Sequence, residues 1–144
     1  MSNNLLKGKR GIIFGALNDM SIAWKVAERA QEEGATFTLT NAPIAMRMGA
    51  INDLAEKTNS KVIPADATSV EDLKHLFEKS QEILGGKVDF VLHSIGMSPN
   101  VRKKKQYTGL NYEWYKQTLD VSAMSLHKTL QVAYDMDALN NWGS

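Results

Sequence analysis

Three short clusters in this sequence hold residue types that can do chemistry, and each stands where a short apolar run ends. The first is Gly15-Ala16-Leu17-Asn18-Asp19-Met20-Ser21. A phosphate needs backbone that approaches without a Cβ in the way, together with the free N–H groups of a helix start. Gly15 meets the first need, and Ser21 and Ile22 meet the second, with the Ser21 hydroxyl as a further donor. Only one glycine stands in the loop, so it is not the Gly-x-Gly-x-x-Gly fingerprint, and a tight turn closed by a serine N-cap would use the same residues. The second cluster centres on Asp66, whose carboxylate can accept a hydrogen bond from an exocyclic amine such as that of adenine. An aspartate at that point can equally cap the helix that follows. The third is His93-Ser94-Ile95-Gly96. Gly96 lets the chain pass close to a sugar or a flat ring, and Ile95 offers it an apolar surface; His93 is expected to be a structural histidine rather than a base.

The elements that must position these clusters follow from periodicity. Gly11 to Phe14 is a strand-like run, and Ser21 opens a stretch with apolar residues at Ile22, Ala23, Val26, Ala27 and Ala30, the spacing of a helix, closed by Gly34. Thr36 to Thr40 is rich in β-branched and aromatic residues and predicts a second strand. Pro43 suits the first turn of a helix running through Ala55, and Val62-Ile63 is a short third strand. Ser69 to about Leu84 predicts a helix whose start, Ser69 with Asp72, resembles a capping box. Val88 to Leu92 is a fourth strand whose apolar run suits a position covered on both faces, followed by a polar, basic loop over 97–109 and a long helix from near Asn111 to about Leu139. Strand and helix alternating in this way predict an α/β fold, a Rossmann-like doubly wound parallel sheet. Such a sheet binds its ligand at the carboxyl ends of its strands, where all three clusters fall.

Composition narrows the function classes. With 43% apolar and 23% charged residues over 144 positions, the chain has the balance of one globular domain. A formal net charge of +1 does not point to nucleic acid or a membrane surface as partner. Cysteine is absent, which excludes disulfides, thiolate metal sites and a cysteine nucleophile, and suits a reducing cytoplasm. No apolar run approaches the roughly 20 residues of a membrane span, and the first residues lack the pattern of a signal peptide. No metal site is expected.

Taken together and in this order, the motifs resemble the short-chain dehydrogenase/reductase superfamily and, within it, the bacterial enoyl-acyl-carrier-protein reductases. The resemblance is carried by Lys9-Arg10-Gly11-Ile12-Ile13-Phe14-Gly15 leading into Ser21-Ile22-Ala23-Trp24, by Asp66 after the third strand, by His93-Ser94-Ile95-Gly96-Met97-Ser98-Pro99, and by Asp120-Val121-Ser122 in the last helix. It implies a dinucleotide-binding domain over residues 1–144 in which Gly15, Ser21 and Ile22 hold the pyrophosphate and nearby ribose. It also implies that Ala42 meets the adenosine ribose, Asp66 and Ala67 the adenine, and Ser94, Ile95 and Gly96 the ribose and nicotinamide. Thr40-Asn41-Ala42 lacks the acidic residue many NAD-binding sheets use at this place, and no arginine directly replaces it, although Arg47 is near in sequence; NADH is favoured over NADPH.

The resemblance further implies reduction of the trans-2 double bond of an enoyl thioester on acyl carrier protein, by a cytoplasmic homo-oligomer, a dimer or tetramer, whose long helix joins subunits. The family's catalytic tyrosine and lysine are expected beyond Ser144, because no Tyr-x6-Lys arrangement occurs among Tyr107, Tyr112, Tyr115 and Tyr134. The sheet is accordingly expected to be truncated after the fourth strand and its long helix, with that strand left as an apolar edge. The run Arg102-Lys103-Lys104-Lys105 is read as a solvated loop, with docking of an acidic carrier protein as its second use. Competing readings are a 3-oxoacyl-carrier-protein reductase, which would want more glycines and an Asn-Ala-Gly after strand four, a non-catalytic nucleotide-binding or assembly module, and a methyltransferase on a similar sheet.

Overall fold

The computed structural model describes residues 2–47 and 49–144. The chain runs through β1 (Arg10–Phe14), α1 (Ile22–Glu32), β2 (Thr36–Thr40), α2 (Pro43–Met46), α3 (Ala50–Thr58) and β3 (Lys61–Val62). It continues through α4 (Val70–Leu84), β4 (Phe90–His93), α5 (Pro99–Arg102), α6 (Tyr112–Leu119), a π-helical segment (Asp120–Met124) and α7 (Ser125–Asp135). Successive side chains of a strand point to opposite faces, so a strand apolar at every position must be covered twice. In β1, Ile12 and Phe14 join one core with Leu73, Leu76 and Phe77 of α4 and Val132 and Ala133 of α7. Ile13 joins the other, with Ala23, Trp24 and Ala27 of α1 and Ile51, Leu54 and Ala55 of α3.

The four strands are parallel in the order β3-β2-β1-β4. From β1 the chain steps outward through β2 to β3, and α4 then carries it over the other face to β4 on the far side of β1. The direction of winding therefore reverses between β1 and β4, which is the switch point at which open α/β sheets bind ligands. The doubly wound α/β expectation is met. One polar tie runs through the core: Thr38 Oγ1 of β2 and Ser80 Oγ of α4 are both buried and 2.7 Å apart.

Three elements depart from the sequence expectation. The helix expected from Pro43 through Ala55 is two helices, because Gly49 adopts a left-handed φ of 76° and breaks the run before α3. The long helix is α6, the π-helical segment and α7 in succession, and it stops at Asp135 rather than near Leu139. The chain turns there through Asp137, at φ 50°, so that the Ala138 carbonyl accepts from the Val88 amide and the Asn140 amide donates to the Val88 carbonyl. The fourth strand starts at Phe90, Val88 making only an isolated parallel bridge with Leu139. β4 is also half-buried at the sheet edge rather than covered on both faces, although Ser144 continues the edge contact by exchanging backbone bonds with Asp89 and Val91.

Capping follows the sequence more closely. Ser69 Oγ accepts the Asp72 amide at 3.2 Å, as expected, but the Asp72 carboxylate turns away from the box and accepts the Asp66 amide at 2.8 Å. Removing one member of a buried hydroxyl pair leaves the other without a partner, at a cost of about 1–3 kcal/mol. Ser80→Ala is therefore expected to lower unfolding free energy by about that amount in urea titrations, and Thr38→Val/Ser80→Ala to cost clearly less than the two single losses added. Simple additivity would show that the pair does not interact.

Candidate functional site

Gly15 leaves the end of β1 at φ 94°, and a Cβ built on it would overlap the carbonyl oxygen of Ser94, the first residue after β4. Only glycine accepts both the dihedral and the contact. The tips of β1 and β4 are thus drawn together at the switch point, and a cavity of about 560 Å³ opens beside them. That volume is within the roughly 300–1,000 Å³ of small-molecule sites. Its wall takes Gly15 from β1, Asn41 and Ala42 from β2, Asp66 and Ala67 from β3, and Ser94, Ile95 and Gly96 from β4. All four strand tips contribute.

Of the nine residues the sequence singled out, the structure brings Gly15, Ala42, Asp66, Ala67, Ser94, Ile95 and Gly96 to this one groove. Ser21 and Ile22 stand outside its wall. The Ser21 hydroxyl is spent locally, donating to the Asn18 carbonyl at 2.6 Å and accepting from the Leu17 amide at 3.2 Å, so it holds the loop after β1 closed. Ser21 does precede α1, but its side chain accepts no bond from the helix, and the Ile22 side chain is largely exposed. Arg47, Tyr107 and Tyr112 likewise stand outside the wall, and the two tyrosines are open to solvent.

Asp66 is not the cap of α4, a role that Ser69 fills. Its Oδ1 accepts the Thr68 amide at 2.9 Å and the Thr68 hydroxyl at 2.7 Å, a turn that fixes the carboxylate in the groove wall. Among the described residues no bond falls on Oδ2. Asn41 is similarly braced, its Oδ1 accepting the Ala42 amide at 2.9 Å and its Nδ2 donating to the Ala16 carbonyl at 3.4 Å. A Cβ at Gly96 would meet nothing nearer than Ser122 Oγ at 3.6 Å, so protein packing does not demand glycine there as it does at Gly15. Ser122 Oγ accepts the Met97 amide at 3.0 Å and thereby pins the segment after β4 to the π-helical turn.

His93 is not among the residues that line the groove. Its Nε2 lies 2.8 Å from Ser125 Oγ, whose own proton goes to the Val121 carbonyl at 2.6 Å, so the imidazole Nε2–H donates to the serine. Burial holds its pKa below the usual histidine range. The wall also includes Arg102, Gln117, Asp120 and Val121, which motif reading did not assign to it. Asp120-Val121 was part of the matched motif, but the turn that swings Asp120 to the groove leaves no mark in a hydrophobic pattern. Lys103 and Lys105 are held 5.1 and 6.0 Å from the Trp114 ring centroid, beside Arg102.

The family model described as enoyl-(acyl carrier protein) reductase matches residues 15–144. This chain belongs to that family. Among curated relatives, the NADH enoyl-acyl-carrier-protein reductase FabI of Rickettsia bellii is 32% identical across 99% of this chain and 53% of its own length. Among solved structures, a FabI–NADH complex from Alistipes finegoldii is 64% identical with a TM-score of 0.95, covering 97% of this chain and 50% of that one. The Aquifex aeolicus enoyl-acyl-carrier-protein reductase superposes at a TM-score of 0.81 with 29% identity. The chain spans about half the length of the curated relatives it matches. Within this reductase family, Gly15 and Ser94 lie on the matched segment, and no helix among the described residues is long and apolar enough to cross a membrane.

Two outcomes follow. Gly15→Ala is expected to lose about 1–3 kcal/mol of stability by urea unfolding, from its left-handed backbone alone and more from the Ser94 carbonyl; a variant as stable as the parent would contradict the close approach. For His93, the folded state disfavours the cation, so the unfolded chain binds the extra proton first. Stability should be constant above the ordinary histidine pKa of about 6.5 and fall as pH drops below it, until the folded-state pKa is passed. His93→Gln should remove that slope from the urea midpoint, and an unchanged slope would assign it to other groups.

Proposed function

We propose that the groove at the strand tips holds NADH, and that the protein of which this chain forms a part reduces the trans-2 double bond of an enoyl thioester on acyl carrier protein. The observation that carries the reading is the convergence of four strand tips on one wall, at a glycine whose Cβ has no room. In this reading the Gly15 backbone lies against the pyrophosphate, and the N–H groups at the start of α1, near Ser21 and Ile22, face it from the open side. Asp66 Oδ2 accepts the adenine amine, Ala67 supports the ring, and Ala42 meets the adenosine ribose. Ser94, Ile95 and Gly96 line the ribose and nicotinamide, and Gly96 keeps a Cβ out of the ligand's path where protein atoms leave space. NADH when bound would supply the hydride.

Cofactor choice follows from charge. Arg102 is the one cation in the groove wall among the described residues, and it stands at the end of α5, after β4, rather than in the segment after β2. Among the described residues no cation after β2 lines the groove, which favours NADH over NADPH. The tyrosine and lysine of the reaction are proposed to come from residues outside 1–144, since Tyr107, Tyr112, Tyr115 and Tyr134 are exposed and none stands in the groove wall.

The remaining parts of the reading concern assembly and place. Leu119, Met124, Leu126, Leu130 and Tyr134 leave apolar surface open on α6, the π-helical segment and α7, which suits a homo-oligomer, and the relatives' carrier-protein substrate suits a cytoplasmic enzyme.

The full-length protein is expected to oxidise NADH only when a trans-2-enoyl thioester is supplied, read as loss of absorbance from the reduced cofactor. Residues 1–144 alone should give no turnover. Activity on a 3-oxoacyl thioester with none on the enoyl substrate would overturn the assignment, and binding of NADH without turnover on any thioester would favour a non-catalytic module.

A further inference from the structure

Lys128 of α7 stands outside the groove yet ties two of its walls together. Its Nζ lies 2.8 Å from Asp120 Oδ1 and 3.3 Å from the Thr68 carbonyl oxygen. Asp120 opens the π-helical segment and Thr68 lies in the loop after β3, and both line the groove. Thr68 in turn gives its amide and hydroxyl to Asp66 Oδ1. An unbroken chain of polar contacts therefore runs from Asp120 through Lys128 and Thr68 to the Asp66 carboxylate. Side-chain exposures of 30% for Lys128 and 46% for Asp120 mark a partly solvated pair, which contributes little to global stability.

The tie depends on a local irregularity. In a regular α-helix, residues eight apart are rotated by about 80° around the axis, so Asp120 and Lys128 would point to different faces. A π-turn inserts one residue into the helical count. The pair then sits as residues seven apart do, roughly 20° from alignment after two turns, and the lysine reaches back along the helix to the carboxylate. Asp120 also places a negative charge in a wall that would face a dianionic pyrophosphate. Lys128 offsets that charge from behind, where it takes no space from the ligand.

We propose that Lys128 is a positioning residue, which sets the adenine-side loop Asp66-Ala67-Thr68 through a tie that the π-helical turn makes possible. The proposal rests on the dinucleotide reading above. The test uses the full-length protein with NADH, ADP-ribose and reduced nicotinamide mononucleotide as probes, followed by fluorescence or calorimetric titration. Absence of NADH binding by the parent protein would refute the dinucleotide reading itself. With the parent binding, Lys128→Met is expected to raise Kd for NADH and ADP-ribose and KM for NADH by about tenfold, with kcat within about twofold. Kd for reduced nicotinamide mononucleotide, which lacks the adenosine half, should not move, and Lys128→Arg should restore most of the loss. Lys128→Gln serves as the second variant should Lys128→Met fail to fold, and it should weaken NADH and ADP-ribose in the same selective way. An NADH Kd unchanged in these variants, or equal weakening of the mononucleotide, would overturn the positioning role.

Discussion

The structure depends on how closely the ends of β1 and β4 approach. Gly15 turns away from β1 in the left-handed region with the Ser94 carbonyl where a Cβ would be. β1 bonds to β4 on one side and to β2 on the other. Its Ile12, Ile13 and Phe14 are fully buried between two layers of helices. Any residue other than glycine at position 15 would have to push β4 outward against this packing. The groove is the space left where the chain changes its direction of winding, and its floor is set by that contact.

The walls are then held by short polar braces rather than by apolar packing. Asp66 is fixed by Thr68, Asn41 by its own loop, and Met97 by Ser122 of the π-helical turn. Each brace satisfies a backbone donor that strand pairing no longer serves beyond the strand ends. The same bonds therefore orient the groups that line the groove. Such an arrangement explains why the wall is specific in detail while the layers behind it need only be apolar and of suitable volume.

Membership of the enoyl-acyl-carrier-protein reductase family adds meaning to two features that are otherwise unexplained by packing. Gly96 has room for a side chain on the protein side, and Asp120 places a carboxylate in a groove wall. Both become reasonable when the groove has an occupant that needs close backbone approach and a wall whose charge is balanced from behind. The apolar residues left open on the helix through Leu119, Met124 and Leu130 likewise agree with a chain spanning about half the length of its relatives.

Sequence alone determined the α/β class and the alternation of strands and helices, and seven of the nine residues it singled out meet in the groove, because apolar periodicity and the position of a residue just past a strand are local properties. It also kept His93 apart from the groove residues, and its side chain is bonded to Ser125 of α7. Tertiary structure decided the rest. The break at Gly49, the π-helical turn at Asp120–Met124 and the early stop at Asp135 depend on backbone bonding that side-chain patterns do not record. The use of the Ser21 hydroxyl to close its own loop, and the placing of Arg102, Gln117 and Asp120 in the wall, depend on which distant segments fold against one another. Spacing along the chain says which residues can face the strand tips, whereas the packing of layers says which of them do.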